Sequence, residues 1–194
     1  MPLSPSLVQR VSKHTRTINI EAFARDDGLW DLDAQITDTK TRDSSLASGV
    51  RFAGSPIHEL NLRITIDTDM TIVDAEAVSD AVPYPGFCNT IGPDYKKLVG
   101  LNLLRQFRFG VNDRLAGMKG CTHITELAQL LPTAAIQAFA GDVIDTRDGA
   151  DDTNFTEKPF QLDRCHALRV DGLAVAQYYP RWAKPSSVAK SPTE

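Results

Sequence analysis

Apolar and polar residues alternate with a period of two over much of the first half of the chain. In "TRTINIEAFARDDGLWDLDAQITDTKT", Ile18, Ile20 and Ala22 share one parity, as do Leu32, Ala34 and Ile36. That pattern marks strands with one face toward a core. Asp26, Asp27 and Gly28 supply turn chemistry between them. After a polar loop closed by Gly54 and Pro56, Leu60, Leu62, Ile64 and Ile66 alternate again. The chain turns at "DTDM" and continues with Ile72, Asp74, Glu76 and Val78 on one parity and Val73, Ala75 and Ala77 on the other. Two hairpins of this kind predict a four-stranded, mostly antiparallel sheet with one buried face.

The period then lengthens. Helical stretches are expected over Pro93–Val99 and Leu103–Leu115, broken at Gly100 and Gly110. Ile124, Leu127, Ala128, Leu131, Ala135 and Ala138 recur at steps of three and four, with Thr122 as the expected N-cap and Pro132 expected to kink or split the helix. An acidic loop follows, and "DRCHALRVDGLAVAQYYPRW" reads as a C-terminal hairpin around "VDGL". Strands first and helices afterwards predict an α+β fold, the helices packed on one sheet face. The expected organisation is a flexible arm over 1–12, a single domain over 13–182 and a disordered tail over 183–194.

Composition narrows the class. The chain has 194 residues, 42% hydrophobic and 24% charged, enough to bury a core. A formal net charge of −4 argues against nucleic acid as a partner. No apolar run approaches a membrane span, and the N-terminus lacks the apolar stretch of a secretion signal. Three cysteines without repeated spacing make no disulfide framework, so a reduced cytoplasmic setting is expected. P-loop, G-x-G-x-x-G and G-x-S-x-G motifs are absent.

The runs "HTRTINIEAFARDDGLWDLDAQITDTK", "PIHELNLRITID", "IVDAEAVSDAVPYPGFC", "YKKLVGL", "GCTHITELAQLLPTAAIQA" and "DRCHALRVDG" resemble, in order and from about Val11 to Arg181, a bacterial family catalogued as domain of unknown function 2889. That resemblance tilts the expectation toward aromatic-compound catabolism. A more distant resemblance, to U-type iron–sulfur scaffold proteins, places His58, Cys88 and Cys121 near that scaffold's metal positions. The chain departs from it by using His58 for an acid or thiol and by lacking the Cys-Gly-Asp element.

Two chemistries stand side by side. The first is acid–base catalysis by His58 and His123, with Tyr95, Lys96 and Lys97 contacting a phenolate. Here Trp30 is an aromatic wall, and Arg16, Arg63, His14 and Asp38 are substrate contacts, although Asp38 can equally pair with Lys40 on the same strand face. The second is a zinc or iron site made by His58, Cys88, Cys121 and His123. Cys88 and Cys121 can also be buried packing groups. The leading expectation is a lyase for an aromatic or phenolic compound that needs no cofactor and releases formaldehyde or water. A homodimer is compatible with it. The alternatives are a metal-binding or iron–sulfur-related accessory protein and a non-enzymatic ligand-binding module.

Overall fold

The computed structural model describes residues 3–148 and 156–185. Strands β1 (His14–Ala24), β2 (Trp30–Lys40), β5 (Pro56–Ile66) and β6 (Ile72–Ala81) form one antiparallel sheet in the order β1-β2-β5-β6. The turn after β1 closes with Arg25 N–H donating to Leu29 O at 2.9 Å, and Gly28 takes φ of 82° there. The loop expected between the hairpins carries a small ribbon, β3 (Ser44–Leu46) paired with β4 (Gly49–Arg51).

The alternation sets the buried face as expected. Leu32, Ala34 and Ile36 of β2 and Leu60, Leu62, Ile64 and Ile66 of β5 are buried, while on the edge strand β1 Ile18 and Ile20 are half-buried and Ala22, expected on the same face, is exposed. In β6 the parity is corrected by a bulge. Ile66 pairs with Ile72 but Thr65 pairs with Asp74, so Val73 is the extra residue. Ile72 and Ala75 therefore both face inward, and Val73 and Val78 face out.

The helical part differs from expectation in three places. Residues Gly92–Leu98 form a 3-10 helix that buries Tyr95 and Leu98, and Gly92 leaves no room for a Cβ against the Ala77 carbonyl of β6. Helix α1 (Phe107–Leu115) begins later than expected and runs through Gly110, which stays small because Leu101 packs over it. Helix α2 (Thr122–Phe139) runs through Pro132 as one helix. Its first i→i−4 bond goes from Thr125 N–H to Cys121 O, so Cys121 rather than Thr122 stands at the cap. Ile124, Leu127, Ala128, Leu131 and Ala135 are fully buried on one α2 stripe.

The chain divides into two compact units, Met1–Gln137 and Ala138–Glu194. In the second, the expected C-terminal hairpin is replaced by helix α3 (Leu173–Tyr178) and a 3-10 turn over Pro180–Trp182. Gly172 precedes the helix-forming run "LAVAQY" and starts a helix instead of turning a ribbon. Tyr179 Oη and Gln161 Nε2 donate to Thr146 O, and Trp182 Nε1 donates to Asp148 O. Residues 3–12 of the arm are exposed and take neither helix nor strand. Part of the acidic loop (149–155) and the tail from 186 onward lie outside the described residues. Among the described residues, no helix is long and apolar enough to cross a membrane.

Candidate functional site

The inward parity that delivers leucine and isoleucine to the core runs on past the apolar stretch. One step beyond Ile18, Ile36 and Leu60 it delivers Arg16, Asp38 and His58. These three stand opposite one another in a single cross-strand row, because Arg16 pairs with Asp38 in register and Asp38 pairs with His58. The next step of β2 is bulged: Thr39 pairs with Pro56, leaving Ile57 as the extra residue.

Asp38 is the hub. Its side chain is 4% exposed. Oδ1 accepts from His14 Nε2 at 2.9 Å and from Arg16 Nε at 2.8 Å. Oδ2 accepts from Arg16 Nη2 at 2.9 Å and from His58 Nδ1 at 3.0 Å. Burial alone would favour the neutral acid. The hydrogen bonds from Arg16 and His14, with the Arg16 charge, outweigh it and hold Asp38 well below the usual carboxylate range. A carboxylate only accepts, so both histidines donate to it, and in the neutral form of His58 the lone pair is on Nε2.

The first turn of α2 closes the site. His123 Nε2 lies 3.8 Å from Asp38 Oδ2, and the His58 and His123 rings approach to 3.9 Å between centroids at 34°. Burial, then the neighbouring His58 and Arg16, lower the pKa of His123 below its ordinary 6.5. One turn further, Glu126 accepts from Arg16 Nη1 at 2.6 Å. This turn is pinned from beneath by Tyr95, whose hydroxyl accepts from Cys121 N–H at 3.0 Å and lies 2.9 Å from both Cys121 O and Thr125 Oγ1.

Of the residues singled out from sequence, the structure gathers His14, Arg16, Asp38, His58 and His123. Asp38 meets Arg16 and the histidines rather than the expected Lys40. Tyr95 is fully buried, and burial pushes its pKa up to about 12, so it serves the helix start. Lys96 pairs with Asp74, and Lys97 pairs with Asp94 at 2.6 Å, both exposed. Trp30 stands at the far end of β2, eight residues from Asp38, or about 27 Å along a strand. Arg63 lies on the outward face, bound through both its Nε and Nη2 to Asp33. Cys121 Sγ is 4.0 Å from His123 Nδ1, the nitrogen turned away from Asp38. Cys88 opens a 3-10 turn with its N–H on Tyr84 O. Among the described residues, the group of His, Cys, Asp and Glu placed to share an ion is Asp38, His58 and His123, with ligand atoms within 4.8 Å of one another.

Glu126 was missed. Its signal was its place three residues after His123 on the amphipathic helix. A separate hollow of about 350 Å³, lined by Asn19, Glu21, Arg63 and Glu76, lies on the outward sheet face, away from these groups.

A family model described as "Protein of unknown function (DUF2889)" matches residues 14–137. No curated protein matches the chain, and no solved structure matches it.

Proposed function

The chain belongs to the DUF2889 family, and on that premise we propose that it is a small-molecule enzyme, a lyase for an aromatic or phenolic compound, with Asp38, His58 and His123 as its proton-transfer centre. One observation carries the reading: an ionised, buried Asp38 fixes the His58 tautomer beside a second, neutral imidazole. In this scheme His58 Nε2 removes a substrate proton, and Asp38 stabilises the imidazolium that forms. The phenolate expels the benzylic hydroxyl, which takes the proton back from His58 and leaves as water, giving a quinone-methide-like intermediate. Where a hydroxymethyl group stands beside the benzylic carbon, His58 takes its O–H proton, the C–C bond breaks to release formaldehyde, and the electron pair returns to the ring as phenolate. His14 and His123 border the same carboxylate and hydrogen-bond the substrate oxygen. The proposed setting is cytoplasmic.

The test is incubation of the intact chain with a panel of lignin-type phenols, assaying released formaldehyde and substrate loss. Turnover is expected, with His58→Ala lowering kcat/KM by about 10²–10⁴. Turnover equal in wild type and a His58→Ala/His123→Ala double variant would exclude this centre. A folded protein that binds phenols and turns none over would favour a ligand-binding module.

A further inference from the structure

We infer that Asp38, His58 and His123 form a binding site for one divalent transition-metal ion of the zinc or cobalt class. This goes beyond the acid–base reading and does not depend on it. The three ligands come from three elements, β2, β5 and the first turn of α2, and their ligand atoms lie within 4.8 Å of one another. One carboxylate and two imidazoles are a donor set that such ions favour.

The two separations from Asp38 bracket the tetrahedral value, and the two histidine ligand atoms lie within 4.8 Å of each other. Tetrahedral bonds of about 2.0–2.1 Å place ligand atoms about 3.3 Å apart. His58 Nδ1 and His123 Nε2 stand 3.0 and 3.8 Å from Asp38 Oδ2, on either side of that value. An ion replaces the proton between His58 Nδ1 and Asp38 Oδ2; that proton passes to solvent while Nε2 takes one up, so His58 stays a neutral imidazole and binds through Nδ1. Arg16 and His14 keep their hold on Oδ1, Arg16 Nη2 keeps one lone pair of Oδ2, and together they orient the carboxylate so that the other Oδ2 lone pair faces the ion. The Arg16 charge is offset by Glu126, so with neutral imidazoles the group carries a net charge of about −1 and accepts a cation. The His58 and His123 side chains are 17% and 25% exposed, which leaves a path for the ion and for a water or ligand as fourth donor.

The experiment uses the full chain without a histidine tag, stripped with a chelator. Co²⁺ is titrated while visible d–d absorption is followed, and Zn²⁺ binding is measured by calorimetry. One ion per chain is expected. Asp38→Asn and His123→Gln should each weaken binding at least about tenfold, while Cys88→Ser and Cys121→Ser should leave it unchanged. Circular dichroism confirms that each variant is folded. In the wild type, Zn²⁺ should shift the imidazole nitrogen resonances of His58 and His123. Binding that persists equally in His58→Ala/His123→Gln, or unshifted His58 and His123 resonances at saturation, would overturn the site. Loss of binding in either cysteine variant would overturn this ligand set. Turnover is not a readout, so a failed phenol panel leaves this inference standing and a failed titration leaves the lyase proposal standing.

Discussion

Asp38 occupies a position where the alternation of β2 calls for an apolar group, and its charge is kept there by hydrogen bonds from His14, Arg16 and His58. Asp38→Asn leaves Arg16 with a weaker acceptor and should lower stability by about 2 kcal/mol, as urea denaturation at pH 7 measures. The folded-state pKa of Asp38 lies below its unfolded value, so its contribution is complete above about pH 4 and is lost as pH falls below that. The gap between wild type and Asp38→Asn should therefore narrow from pH 7 to pH 3. His123 behaves in the complementary way. Its folded pKa lies below 6.5, so between that value and 6.5 the unfolded chain holds more protons, and stability declines as pH falls through the window. Its imidazole resonances should titrate below pH 6.5, and lower still in Asp38→Asn, because the Asp38 charge raises this pKa. A midpoint above 6.5 in the wild type would contradict the burial described here.

At the scale of elements, one hydroxyl joins the 3-10 helix to the start of α2. Tyr95→Phe keeps the ring in the core but removes contacts to Cys121 and Thr125. It should cost about 1–3 kcal/mol and speed amide exchange at Cys121, with little change in the β2 and β5 amides. Strand parity was readable because Leu32, Ala34, Ile36 and the β5 leucines must share one face. The same parity argument, extended by one step, would have placed Arg16, Asp38 and His58 together, since an acid on the parity of Ile36 is an acid inside. What alternation cannot show is the place of a bulge. Val73 and Ile57 each interrupt the count, so strict alternation puts Ile72 on the parity of the outward Asp74, Glu76 and Val78. Nor does local pattern reveal that the α2 start reaches the sheet. His123 and Glu126 join the site through a long-range contact, and the turn chemistry of "VDGL" was outweighed by the helix formers after it.

Across the whole molecule, the family match and the first compact unit both end at Gln137. Every residue of the Asp38 group lies within that span, while α3 and its partners lie beyond it. Helix α2 supplies part of the core of this unit, with Ile124, Leu127, Ala128, Leu131 and Ala135 fully buried. Leu127→Ala, at a fully buried position, should lower stability by about 2–5 kcal/mol in urea denaturation. Histidine resonances should still report the Asp38 contacts in that variant, because Leu127 makes none of them.

The row Arg16–Asp38–His58 also limits how such a chain can change its length. Inserting one residue between Leu32 and Asp38 turns the carboxylate to the outward face. Inserting two restores the face but moves Asp38 one pleat along the strand, away from both Arg16 and His58. Loops such as 41–55 can grow or shrink freely by comparison, so drift in length should collect there while the spacing from Leu32 to Asp38 stays fixed.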